Sequence, residues 1–120
     1  MITLATLPKA TAQEVFEQVK THMLTQNEKC KDDTFCVYRH VKEDGTVLKC
    51  AAGCLIADDE YQGAFDQRSS FGSSWKNLLQ ENLVPKEHAD LICDLQNIHD
   101  LEDVEDWQHC LEVYAITHNL

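Results

Sequence analysis

Apolar side chains recur at helical spacing in four stretches of this chain and alternate as in strands in one region between them. Val15, Phe16, Val19, His22 and Met23 share one helical face and predict a helix near 12–26. Thr11 and Glu14 stand where a capping box would start it. Phe35–Val41 and Thr46–Cys50 flank Asp44-Gly45, the signature of a β-hairpin over about 35–50 in which Gly45 supplies the positive φ of the turn. Residues 51–57 are small and apolar and predict a short helix. Ser74 is placed to cap a helix carrying Trp75, Leu78 and Leu79. Pro85 suits the first turn of a helix whose face holds Leu91, Ile92, Leu95 and Ile98. Val104, Trp107, Cys110, Leu111, Tyr114 and Ala115 form the last stripe, with Asp100 read as its cap. A lone hairpin is marginal in water, so it must pack on the helices. The pattern predicts one α+β, mostly helical domain over 1–120, with four or five helices packed around one antiparallel hairpin.

The hairpin admits two registers. A two-residue loop at Asp44-Gly45 sets Arg39 opposite Cys50, whereas a three-residue loop at Glu43-Asp44-Gly45 sets Tyr38 there and brings Cys36 diagonally onto the same face. The register matters because of the thiols. Cys50 and Cys54 are separated by three residues, as are Cys36 and His40, a spacing that suits two ligand pairs of a zinc site. Against that stands the commonest role of a free cysteine, a small buried hydrophobe. Cys93 and Cys110 fall on apolar helix faces and are expected in the core. No cysteine pair has the two-residue spacing of a thioredoxin-like site.

Six cysteines are an even number, but Met1–Pro8 lacks the charged and long apolar regions of a secretory leader, and no apolar run reaches membrane-spanning length. The expectation is a cytoplasmic protein with free thiols and no membrane association. The net charge of −11 is uneven, since residues 86–120 hold nine acids and one lysine, a net of −8. That field repels nucleic-acid phosphates, so direct nucleic-acid binding is not expected, and it suits a partner protein with a basic surface.

Asp58-Asp59-Glu60 offers three adjacent carboxylates for Mg²⁺ or for acid–base chemistry, yet nothing in the spacing names the further ligands, with His99 and Asp100 as possible contributors. The simpler reading is an exposed acidic turn. His99-Asp100 can orient an imidazole for base catalysis, but reads first as a helix junction. His88, His109 and His118 lie among acids at exposed helical positions. Gln62–Ser74, rich in Gly and Ser, reads as a contact-bearing loop.

Cys36-Val37-Tyr38-Arg39, Asp44-Gly45 through Lys49-Cys50-Ala51-Ala52-Gly53-Cys54-Leu55-Ile56, and Leu95-Gln96-Asn97-Ile98-His99-Asp100 followed by Trp107 together resemble a family of small uncharacterised proteins of bacteriophages and bacterial genomes. The likeness runs from the Thr11 helix to Leu120. It implies a phage or prophage setting, with the host cytoplasm as location, rather than a mechanism. Members often carry alanine where Cys54 stands, which weakens a zinc or dithiol role for Cys50 and Cys54. The expected function is that of a non-enzymatic accessory protein that binds and modulates a host protein, as counter-defence or regulatory inhibitor, without a cofactor. Its candidate contacts are Glu102, Asp103, Glu105 and Asp106, with Arg68 and Phe71 of the 62–74 loop. The alternatives are a zinc-binding module or metal-dependent enzyme using Cys36, His40, Cys50 and Cys54 or Asp58, Asp59 and Glu60, and a structural homo-oligomer.

Overall fold

A computed structural model describes residues 1–66 and 74–120. Among the described residues, four α-helices pack around a two-stranded hairpin, in the order α1 (Ala12–Gln26), β1 (Arg39–Val41), β2 (Val47–Lys49), α2 (Trp75–Gln80), α3 (Ala89–Leu101) and α4 (Trp107–Thr117). Short 3₁₀ turns at Leu7–Lys9, Ala52–Leu55, Gly63–Phe65 and Val104–Asp106 join them.

The first helix forms as its sequence predicts. The Glu14 amide donates to Thr11 Oγ1 at 3.1 Å while the Thr11 amide donates to Glu14 Oε1 at 2.9 Å, a complete capping box. Such a cap stabilises a helix by about 1 kcal/mol. At the other end Asn27 turns left-handed (φ 53°) and its amide closes onto the Met23 carbonyl. Val15, Phe16, Val19 and Met23 enter the core.

The hairpin takes the three-residue loop. Arg39 pairs with Lys49, His40 with Leu48 and Val41 with Val47, and the Cys50 amide continues the ladder to the Tyr38 carbonyl at 3.3 Å. The Gly45 amide bonds the Lys42 carbonyl and Gly45 holds φ 90°, so glycine sets the register. Arg39 and Lys49 are like charges directly opposite, and Asp58 reaches both, at 3.4 and 3.1 Å.

Side chains close parts of both edges of this small sheet. Gln26 of α1 accepts the Lys49 amide through Oε1 (3.0 Å) and donates to its carbonyl through Nε2 (2.9 Å), and His22 donates to that carbonyl at 2.7 Å. Across the sheet, the Asp66 carboxylate accepts the Tyr38 and Arg39 amides and the Tyr61 hydroxyl. Backbone groups that an isolated hairpin would leave to water are thereby satisfied inside the domain.

The centre of the molecule is the segment after β2. Cys50, Ala51, Ala52, Gly53, Leu55 and Ile56 are buried, and α1, α3 and β2 all pack on the 52–55 turn. A Cβ on Gly53 would press into the Tyr38 carbonyl oxygen. Only glycine therefore lets the hairpin close on this turn. The predicted short helix at 51–57 is this single 3₁₀ turn.

Two boundaries differ from expectation. Pro85 does not open a helix, because α3 starts at Ala89 after His88 in a left-handed conformation (φ 64°). His88 is half-buried rather than exposed, and its Nε2 donates to the Ala10 carbonyl at 2.7 Å, pinning the start of α3 to the segment before α1. Asp100 does not cap the last helix: it lies in the final turn of α3, and Asp103 begins the 3₁₀ turn that leads into α4.

Candidate functional site

All six cysteines are free. The structure does not gather Cys36, His40, Cys50 and Cys54. Cys50 is buried at the central turn, where its sulfur accepts the Gly53 amide at 3.2 Å. The Cys54 thiol turns back to donate to the Ala51 carbonyl at 3.1 Å. His40 stays on the hairpin, half-buried opposite Leu48. Cys36 lies ahead of β1, where an isolated bridge with Lys31 carries it away from the strand register. Burial pushes the Cys54 thiol up to about 12 and the Cys50 thiol well above its ordinary value. Cys93 and Cys110, expected in the core, are half-buried instead.

Among the described residues, a different set brings its ligand atoms within 4.8 Å of one another: Cys36, His99 and Asp100. His99 is fully buried and its ring stacks on Trp107 with centroids 5.2 Å apart. Its Nδ1 faces Asp100 Oδ1 at 2.7 Å, and its Nε2 receives the backbone amide of Cys30 at 3.1 Å. A backbone amide can only donate, so Nε2 is the bare nitrogen and Nδ1 carries the hydrogen. Asp100 Oδ1 also accepts Gln96 Nε2 at 2.7 Å, and Gln96 Oε1 in turn accepts the Ala52 amide at 2.9 Å. Burial, then the charge of Asp100 and a hydrogen bond to it, raise the Cys36 thiol to about 11.

Thiolate, imidazole and carboxylate together are a zinc-type donor set. The ring environment opposes that use. A histidine that ligates metal through one nitrogen usually donates its other N–H to an acceptor. Here the other nitrogen faces the Cys30 N–H, so binding at Nδ1 would set two donors against each other. The hydrogen bonds instead tie two segments to α3: Cys30 through His99 and Ala52 through Gln96. Sequence reasoning missed Cys30, which is buried and whose thiol donates to the Leu48 carbonyl at 3.2 Å. It sits in a polar stretch with no periodicity, and only the side-by-side His99-Asp100 hinted at a partner.

The three carboxylates at 58–60 also diverge. Asp58 pairs with Lys49 and Arg39, and Asp59 is exposed. Glu60 accepts the Leu4 and Ala57 amides through Oε1 and the Ala5 amide through Oε2, fastening the N-terminal segment. Burial works to raise its pKa, but the amides of Ala57, Leu4 and Ala5 outweigh it and the carboxyl lies below its usual range.

Glu102, Asp103, Glu105 and Asp106 are exposed around the corner between α3 and α4. None has an ion-pair partner among the described residues. Leu101 beside them is 76% exposed. Arg68 and Phe71 lie outside the described residues. At the opposite end of the α3–α4 pair, a groove of about 600 Å³ opens between the starts of α1 and α2, α3 and the end of α4. Lys76, Asp90, Asp94, Tyr114 and His118 are among its lining residues.

No helix among the described residues is long and apolar enough to cross a membrane. No family model matches the chain, and no curated protein or solved structure matches it at a significant level.

Proposed function

We propose that this chain is a non-enzymatic binding module that engages a basic surface on a partner protein, in the manner of a phage- or prophage-type accessory protein that modulates a host protein. The observation that carries the reading is the acidic corner: Glu102, Asp103, Glu105 and Asp106 are exposed, without cationic partners among the described residues, and belong to a segment of net charge −8. Uncompensated like charges of this kind steer association with an oppositely charged surface and do so more weakly as salt rises. The motif resemblance from Cys36 to Trp107 supports the phage setting. The raised thiols of Cys36, Cys50 and Cys54 support a binding role over a nucleophilic one, because the thiolate is the reactive form.

The test is affinity capture from host lysate with the wild-type chain and with a Glu102→Gln, Asp103→Asn, Glu105→Gln, Asp106→Asn variant. A specific basic protein held by the first and lost from the second supports the reading. Recovery of no specific partner at low salt counts against it.

A second reading, a zinc-binding module, rests on the Cys36, His99 and Asp100 group. The Cys30 amide at His99 Nε2 weighs against it. Elemental analysis separates the two, since stoichiometric zinc lost in a Cys36→Ala variant would favour the module.

A further inference from the structure

The groove at the far end of α3 has a composition that the acidic corner lacks. Asp90 and Asp94 lie one turn apart on α3, which places them on the same side of the helix. Opposite them, the Tyr114 and His118 rings stack at 4.0 Å, and the Tyr114 ring also lies parallel to that of buried Phe16, with centroids 6.3 Å apart and 12° between planes. Three rings thus run in series from the core to the groove, and the inner ones hold the outer shelf in place. The Tyr114 hydroxyl donates to Asp94 Oδ2 at 2.9 Å and joins shelf to carboxylate. Burial and that hydrogen bond raise the Tyr114 pKa, which keeps the hydroxyl a donor. Half-buried Leu91 and Leu120 supply apolar wall.

A cation already stands at the rim. Lys76 Nζ lies 3.9 Å from Asp90 Oδ1, and both side chains are largely exposed. A pair so long and so solvated contributes little, so exchange of this ammonium for another cation costs little. The groove therefore combines carboxylates on one side, a flat aromatic shelf on the other, apolar wall for an aliphatic stem, and a weakly held resident cation. A planar guanidinium uses all of these at once, because it forks onto carboxylate and stacks flat on rings, whereas an ammonium meets a carboxylate only as a point charge.

We infer that this groove is a pocket for an arginine side chain of the partner, with Asp90 and Asp94 pairing with the guanidinium and the outer face of His118, backed by Tyr114, stacking on it. This rests on the proposal that the chain binds a basic protein, and it names the residue that anchors that partner. It also separates two roles, with the acidic corner steering encounter and the groove holding one side chain.

The probes are an arginine-rich peptide and a lysine-rich peptide of equal length, titrated into the full chain at low ionic strength and followed by calorimetry and by NMR shifts. The pocket predicts tighter binding of the arginine peptide, with the largest shifts at Leu91, Tyr114 and His118. It predicts that Asp90→Asn weakens that peptide about tenfold and His118→Ala about threefold. Both side chains are exposed, so both variants should fold, and unchanged thermal melts would verify it. If the two peptides bind alike, indifferent to Asp90→Asn and His118→Ala but abolished by neutralising Glu102, Asp103, Glu105 and Asp106, the pocket is overturned while the acidic-surface reading stands. If neither peptide binds at low salt, both fall.

Discussion

The backbone amide of Cys30 donates to Nε2 of His99 at 3.1 Å, across 69 positions of sequence. This one bond decides the tautomer of a fully buried imidazole, and through it the character of the Cys36, His99 and Asp100 group. It also joins the 27–38 loop to the C-terminal end of α3. Replacing His99 by Phe keeps a ring against Trp107 but leaves the Cys30 amide and the Asp100 carboxylate without this partner. An unsatisfied buried donor costs about 1–3 kcal/mol, so His99→Phe should lower the urea midpoint by the equivalent of about 2 kcal/mol at unchanged slope. A variant as stable as the wild type would mean that the bond contributes nothing.

Gly53 and Gly45 make a paired prediction. Gly53→Ala drives a methyl into the Tyr38 carbonyl at the centre of the core, where overpacking costs typically 1–3 kcal/mol and the backbone must shift. Gly45→Ala meets open space and suffers only its left-handed φ of 90°, at a cost of about 1–2 kcal/mol. Thermal melts should rank Gly53→Ala below Gly45→Ala. A reversed order would place the strain at the turn instead.

Acid should weaken the fold in two steps. Burial holds the His22 pKa below its ordinary 6.5, its carbonyl partner at Lys49 only partly offsetting this, so the unfolded chain binds the proton first. Stability from this group is complete above pH 6.5 and declines as pH falls towards the folded value. Glu60, whose folded pKa is also lowered, contributes stability above its unfolded pKa that is lost as pH falls through the folded one. Urea midpoints across pH should therefore lose the upper step in His22→Gln and show a smaller lower step in Glu60→Gln, the remainder belonging to Glu14, Asp32, Asp44 and Asp58, whose carboxyls are also held below their usual range by hydrogen bonds. A profile unchanged in both variants would contradict these assignments.

Alkylation should follow burial. Cys93 and Cys110 are half-buried with modestly raised thiols, whereas Cys36 lies at about 11 and Cys54 at about 12, and Cys30 and Cys50 are buried. Mass spectrometry after iodoacetamide at mildly alkaline pH should label Cys93 and Cys110 first, Cys36 and Cys54 later, and Cys30 and Cys50 only with unfolding. Early labelling of Cys36 would indicate an activated thiol and favour chemistry at the His99 cluster.

Features written within a few residues were legible in the sequence. The Thr11–Glu14 box, the Gly45 turn and the α4 stripe each depend on neighbours three or four positions away, and each formed. The choice between hairpin registers was open because both loops satisfy the same local pattern; the structure shows Tyr38 opposite Cys50, with Gly53 letting the Tyr38 carbonyl approach the central turn. Cys30 and His99 carry no shared period, and neither the 27–33 loop nor α3 reveals the other. Asp100 read as a cap because its type suits one, yet its carboxylate is taken by His99 and Gln96 one helix earlier. The groove joins α1, α2, α3 and α4, and no single segment announces it.

On the proposed function, exposed carboxylates without ion-pair partners make this chain a ligand for a basic protein. The most direct measurement is the dissociation constant for the captured partner as salt is raised, for the wild type and for the Glu102→Gln, Asp103→Asn, Glu105→Gln, Asp106→Asn variant. Raising ionic strength from about 0.01 M to about 0.15 M shortens the screening length from roughly 30 Å to roughly 8 Å. A steep loss of wild-type affinity is expected over that range, with a weaker and distinctly shallower dependence for the variant, which still carries the other acids. Equal affinities with equal, shallow salt slopes would contradict the proposed function.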